Sequence, residues 1–363
     1  MKKTVQLISV ALVLSILTAC GNEKQETGEI DAKQKYGCNK INVYNASEYI
    51  ADDTIKNFEK KYKAHVQYSV FDSNEMLYTK LLGGNSYDVI VPSDYMIEQL
   101  IQENQLQKLN KSLIPNLSHV NSNLLEKQKM FDPKLEYAVP YFWGNVGIVY
   151  NKKKVDPVEV EKLGWNIFHH TKYKGKIFFY DSQRDGFMVA LKALGYSMNT
   201  KNDEEIQKAY TWLRKMNKTM EPSYVTDEVI DDMINRKKDI ALMYSGDAAY
   251  VLSENKDLAY FQPKEGTNIW VDAMVIPKNA SCPALANAFI NEMTSKEVQK
   301  NNSEAVGYTP VIQSVEDDIA ERDYQGVTAY KPRTGYVKDE IFHYNPGVKE
   351  KLSDLWTKVK VQN

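Results

Sequence analysis

The chain is poor in several features that would commit it to a particular chemistry. It has three cysteines and five histidines in 363 residues. None of them cluster at metal-ligand spacing, so neither a metal site nor a cofactor is expected. His169-His170 is the one adjacent pair, and its polar, lysine-rich surroundings read as a solvated turn. Neither sign of charge is in real excess: 46 Lys and Arg against 48 Asp and Glu leave a net −2, which becomes −4 once Lys2 and Lys3 leave with an N-terminal leader. That balance gives no electrostatic reason to expect nucleic acid as a partner. Beyond the N-terminus no apolar run approaches the roughly 20 residues of a membrane span. No tract is of low complexity. What remains is a globular chain, too long for one small core and suited to two lobes.

Met1-Lys2-Lys3 followed by apolar Val5 to Leu17 has the charged and hydrophobic regions of a secretory signal. It ends in Leu17-Thr18-Ala19-Cys20, which resembles the lipobox of bacterial lipoproteins. By that resemblance residues 1–19 are removed, Cys20 is lipidated, and 20–38 form a flexible tether. The expected location is the outer face of a membrane or the periplasmic space, anchored and not spanning. Cys38 and Cys282 remain, either as one disulfide closing a long loop or as free buried thiols.

Short apolar strands alternate with helical patterns along the rest of the chain. Ile41–Tyr44, Val66–Phe71 and Tyr87–Val91 read as strands, separated by helices that start near Asp52 or Asp53 and at Ser73-Asn74. Lys176–Tyr180 and Ile240–Tyr244 repeat the pattern in a second group. Val139–Tyr150, Trp270–Pro277 and Gly307–Pro310 read as segments crossing between the groups, and Leu352, Leu355, Trp356 and Val359 form one face of a closing helix. The fold class is α/β, with two lobes, each a mostly parallel sheet flanked by helices. Residues 39–144 with 271–308 form one lobe, and 145–270 with 309–363 the other.

Polar and aromatic residues recur directly after these strands. Ser47-Glu48-Tyr49, Ser93-Asp94-Tyr95, Asp181 to Asp185, and Ser245-Gly246-Asp247 occupy equivalent positions, and ligands in open α/β sheets sit beyond the carboxyl ends of strands. The crossings add Trp270, Asp272 and Tyr308. A lone carboxylate inside the apolar run Ile269–Pro277 is costly unless a cation meets it. That cation is either one of the chain's own Lys or Arg, or a ligand held between Asp272 and the Trp270 ring. Only Arg184 stands among these positions as a positive charge. The set therefore disfavours anions and suits a linear molecule with charged ends and an apolar middle. A carboxylate-pair hydrolase built on Asp181 and Asp185 is the alternative from another class, and it lacks a nucleophile motif.

The chain also resembles the spermidine/putrescine-binding proteins that feed polyamine ABC transporters. The likeness rests on Val43-Tyr44-Asn45 with Glu48-Tyr49, Phe71-Asp72-Ser73-Asn74-Glu75, Tyr87–Ser93, Val139–Gly144, Trp270-Val271-Asp272 with Ile276-Pro277, and Val306-Gly307-Tyr308. It implies a two-lobed binding protein of type II that closes on a polyamine, works as a monomer and delivers its cargo to permease subunits. It further implies that Asp272 holds an amine beside Trp270 and that Glu48 and Asp185 hold others. Tyr49, Ser93, Tyr95 and Tyr308 complete the walls, and Thr226 corresponds loosely to a further hydroxyl. The chain departs from the family's pattern at Ala46 and Tyr244, where tryptophans are usual. Ser182 stands where some members carry an acid, and Asp247 adds an acid that many lack.

Overall fold

A computed structural model describes residues 29–47 and 49–361. Ten strands are present among them: β1 (Lys40–Ala46), β2 (His65–Phe71), β3 (Val89–Ile90), β4 (Ala138–Asn151), β5 (Ile177–Tyr180), β6 (Ser223–Val225), β7 (Ile240–Tyr244), β8 (Leu258–Phe261), β9 (Ile269–Val275) and β10 (Thr309–Pro310). Their order is β2-β1-β3-β9-β4-β7-β5-β6, with β8 and β10 also pairing with β4. Two parallel groups, β2-β1-β3 and β7-β5-β6, lie at opposite ends. The antiparallel crossing strands β4 and β9 join them.

All fourteen residues of β4 are buried, and a strand covered on both faces reads as a continuous apolar run. Its first half pairs with β9 and β10 and its second with β7 and β8, so one strand serves both lobes. The register slips between Pro140 and Phe142, as a proline without an N–H requires in a ladder. Where the lobes meet, the buried Asn145 receives a hydrogen bond from Tyr260 Oη at 2.7 Å and gives one to Gln262 Oε1 at 2.9 Å. Every polar atom there that leaves water needs such a partner.

The helices follow the sequence pattern with local differences. Ser73 caps the helix Asn74–Leu82 by accepting from Met76 N–H at 3.1 Å. Asp53 stands at the start of Thr54–Tyr62, but its carboxylate takes the side-chain amides of Asn57 and Asn301 instead of a helix N–H. The third strand is shorter than the apolar run 87–91, although Asp88 and Val91 still bond to the backbone of β1. β6 is too short to stand out by periodicity.

Two expectations are corrected. His169-His170 is half-buried and not solvated: the His169 ring lies 4.3 Å from Trp212, and burial pushes its pKa down to about 4. The helix Gln313–Arg322 does not join the second lobe. It packs on Lys296–Val306 through Lys300–Asp318 (2.6 Å) and Glu304–Arg322. That helix is tied to the first lobe by Asn302, whose Oδ1 accepts from Ala51 N and Thr54 Oγ1. The closing helix Pro346–Lys360 does lie on the second lobe, against Gln183–Ala193 and Asp203–Met220.

Cys38 and Cys282 are bonded, with Cα atoms 6.3 Å apart and 244 residues between them in sequence. The bond ties the segment before β1 to the start of the helix Pro283–Met293. Replacing both cysteines by serine is expected to cost about 2–5 kcal/mol, since the unfolded chain regains the freedom of a long loop. Denaturant titration of the oxidised protein and the double variant measures this, and coincident midpoints would mean that the bond carries no stability.

Candidate functional site

The carboxyl ends of all six parallel strands open into one cavity of about 820 Å³ between the lobes. β1 leads into Ala46, Ser47 and Tyr49, β2 into Asn74, and β3 into Ser93 and Asp94. β5 leads into Arg184 and Asp185, β6 into Asp227, and β7 into Gly246 and Asp247. The crossing strand β9 supplies Trp270 and Asp272, which share a face because side chains alternate along a strand. Tyr308 enters just before β10.

Tyrosine hydroxyls hold the two half-buried acids at the centre of this cavity. Tyr49 Oη donates to Asp272 Oδ2 at 2.8 Å, and Tyr308 Oη donates to Asp247 Oδ1 at 2.7 Å. Tyr180 Oη adds a bond to Asp247 Oδ2 at 3.1 Å. The buried Asp185 accepts from Tyr244 Oη at 2.8 Å and from Ser182 Oγ at 2.6 Å. Burial and the adjacent carboxylates hold the hydroxyls of Tyr49, Tyr244 and Tyr308 well above their usual range, so they remain donors. Their rings form a continuous wall: Tyr49 to Tyr308 at 5.4 Å, Tyr308 to Trp270 at 5.6 Å and Trp270 to Tyr244 at 6.3 Å, all edge to face. Close approach of this wall leaves room only for glycine at two positions. A Cβ on Gly246 would fall 2.5 Å from the Tyr308 ring, and one on Gly144 would meet the Trp270 ring and Ser245 Oγ.

The acids outnumber the cations. Asp94, Asp185, Asp227, Asp231, Asp247, Asp272 and Glu304 line the cavity, and Arg184 is its one Lys or Arg among the described residues. Burial pushes Asp247 up to about 6, against the pull of the Tyr308 and Tyr180 hydroxyls. Burial likewise raises Asp94 to about 7, although Val271 N–H and Arg184 favour its charge. Asp272 is raised for the same reason, opposed by Ser93, Tyr49 and Arg184. Carboxylates kept uncomfortable by desolvation and held in no salt bridge among the described residues are arranged to receive a cation. Trp270 Nε1 is buried without a hydrogen-bond partner among the described residues.

Ser47, Tyr49, Ser93, Asp185, Tyr244, Asp247, Trp270, Asp272 and Tyr308 are thus brought together as the strand-end pattern implies. Asp181 is not. Its carboxylate pairs with Lys360 Nζ at 2.7 Å and Trp356 Nε1 at 3.0 Å, anchoring the closing helix. It does not form a working pair with Asp185. Tyr95 stands behind Arg184 and not on the cavity wall, with its ring 3.8 Å from the guanidinium. Thr226 donates to Glu228 Oε2 at the exposed surface. Glu48 and Cys20 lie outside the described residues. Asp227, Asp231 and Asn74 were not singled out as site residues from sequence, and Asp94 was named only within the strand-end group Ser93-Asp94-Tyr95. Asp94 and Asn74 follow directly on expected strands, and that position was the available signal.

Residues 53–329 match the description of bacterial extracellular solute-binding proteins. The chain belongs to that family. It is 32% identical to the spermidine/putrescine-binding periplasmic protein of Escherichia coli K12, over 74% of this chain and 77% of that one. With the putrescine-binding periplasmic protein SpuD of Pseudomonas aeruginosa the identity is 35% at the same coverage. Among solved structures it is similar to the spermidine/putrescine ABC transporter substrate-binding protein PotD of Streptococcus pneumoniae. That likeness has a TM-score of 0.78 and 33% identity, covering 89% of this chain and 98% of that one. These neighbours share the two-lobed α/β architecture. No described helix of this family member is long and apolar enough to cross a membrane.

The raised carboxylates set the pH response of cation binding. With Asp247 titrating at about 6 and Asp94 at about 7, both carboxyls are partly protonated between those values, and an arriving cation favours the ionised forms, so binding there releases protons and strengthens as pH rises through about 6 to 7. Calorimetric titration with an organic dication in buffers of different ionisation heat detects this release. Identical heats in all buffers, with affinity flat between about pH 5.5 and pH 8, would contradict it.

Proposed function

We propose that this solute-binding protein captures a polyamine, spermidine or putrescine, between its lobes and delivers it to the permease subunits of an ABC transporter. The observation that carries this reading is the aromatic wall of Tyr49, Tyr308, Trp270 and Tyr244 bearing hydrogen-bonded carboxylates along its length. An alkyl chain with ammonium groups fits both parts. Each methylene against the rings gains about 0.8 kcal/mol when fully desolvated, and a cation over a ring gains about 0.5–2 kcal/mol. Asp272, Asp247 and Asp185 take the ammonium groups, with Ser47 and Ser93 as further hydrogen-bonding groups on the first lobe. Closure of the lobes about β4 and β9 completes the enclosure. The protein acts as a monomer held outside the cytoplasm by a lipid on Cys20, and binding needs no catalytic step. The names and likeness of the relatives support this cargo, and the lipobox-like sequence supports the anchor.

Calorimetric titration of the form that begins after Cys20, freed of ligand by unfolding and refolding, tests the reading with spermidine and putrescine in parallel. One-to-one binding of either is the expected result. A folded protein that takes up neither, in a panel that includes other organic cations, would assign the fold a different cargo. Asp272→Ala is expected to weaken binding by roughly 3–5 kcal/mol while the fold persists, because it strands a desolvated ammonium. Unchanged affinity would remove Asp272 from the site. Ala46 lines the cavity where a ring is missing. Ala46→Trp is expected to tighten binding by about 0.5–2 kcal/mol if an amine passes that position, and no change in the same titration would place the ligand elsewhere.

A further inference from the structure

Arg184 is a cation built into a cavity that otherwise collects acids. It follows β5 near the start of the helix Gln183–Ala193, and its guanidinium lies 3.8 Å from the Tyr95 ring and 5.4 Å from the Phe342 ring. Tyr95 belongs to the first-lobe helix Asp94–Gln102, and Phe342 to the segment leading into the closing helix on the second lobe. The three side chains therefore meet across the interlobe gap.

Behind them lies a second cavity of about 490 Å³. Arg184 and Phe342 line both spaces, whereas Tyr95 lines only the second. The Arg184 sandwich is thus the partition between them. Beyond it the walls include Phe187, Met198, Val348 and Leu352. The acids there are already engaged. Glu98 accepts from Tyr344 N–H at 2.7 Å and faces His343 Nδ1 at 3.3 Å. Glu75 accepts from Tyr95 Oη at 3.3 Å and lies 3.6 Å from Lys349 Nζ. An additional ammonium finds no free carboxylate past the partition among the described residues.

We propose that Arg184 is the residue that limits ligand length: it occupies the place of a further ammonium, closes the way to the second cavity, and so favours a short diamine over triamines and tetraamines. The inference rests on the polyamine reading above. A guanidinium cannot be deprotonated at working pH and is well suited to stacking between aromatic rings. It repels an approaching ammonium, and its charge favours the ionised form of Asp94 through space. The acids remote from it, led by Asp247, remain for the ligand's own charges.

The test is calorimetric titration of putrescine, spermidine and spermine into the full mature protein and two variants, with thermal melts recorded for each. Arg184→Met keeps a long side chain over Tyr95 and removes the charge. Phe342→Ala keeps the charge and removes one side of its clamp. The wild type is expected to prefer putrescine. Arg184→Met should raise the spermidine-to-putrescine affinity ratio at least about tenfold, and Phe342→Ala should move it the same way by a smaller factor. Should Arg184→Met fail to fold, the shift in Phe342→Ala decides. Ratios unchanged within about twofold in the folded variants would overturn the proposal, as would a wild-type preference for spermidine or spermine. Loss of all binding in folded Arg184→Met would overturn it too, by making the arginine a support of the site. Absence of binding by the wild type to every amine would instead reject the polyamine reading itself.

Discussion

The structure depends on carboxylates that it buries without giving them a fixed partner cation. Asp272 and Asp247 are half-buried among aromatic rings, and tyrosine hydroxyls are their closest polar company. A hydrogen bond from a neutral donor lowers the cost of such a charge without cancelling it. Both groups consequently sit above the ordinary carboxylate range. The surrounding architecture keeps this arrangement from relaxing. β4 and β9 fix the position of Asp272 by backbone pairing, and Asp94 pins β9 to a helix start by accepting from Val271 N–H at 3.1 Å.

The same crossing strands that hold Asp272 also form the joint between the lobes. A strand such as β4, shared by both sheets and buried throughout, transmits the orientation of one lobe to the other. The aromatic wall lies directly on this joint, with Gly144 and Gly246 admitting Trp270 and Tyr308 at distances that a side chain would forbid. Further out, Arg184 against Tyr95 and Glu98 against Tyr344 N–H link the two lobes. The lobes therefore meet at two depths, through aromatic rings and acids at the crossing strands and through Arg184 beyond them.

Much of this was legible in the chain. Alternating apolar runs and capped helical patterns identified the parallel strands, and the rule that ligands gather beyond their carboxyl ends selected Tyr49, Ser93, Asp185 and Asp247 together. The rule misplaced Asp181, because a strand end offers several side chains and only packing decides which one turns inward. There the closing helix, more than 170 residues later, brings Lys360 to it. Tyr95 was misplaced for a related reason: its ring is taken by Arg184 from the other lobe. Asp227 followed a strand too short for its period to show.

The sequence by itself determined the α/β class, the two groups of strands and the acid-and-aromatic character of their loops, because period and residue type are local properties. The crossing segment with a carboxylate beside a tryptophan was equally plain, since alternation places Trp270 and Asp272 on one face whatever surrounds them. Tertiary structure alone decided which acids lack a partner, that the helix Gln313–Arg322 returns to the first lobe, and that Cys38 meets Cys282. It also decided that Arg184 stands between two cavities. These outcomes depend on contacts between residues far apart in the chain, and no local pattern encodes which distant neighbour a charge will meet.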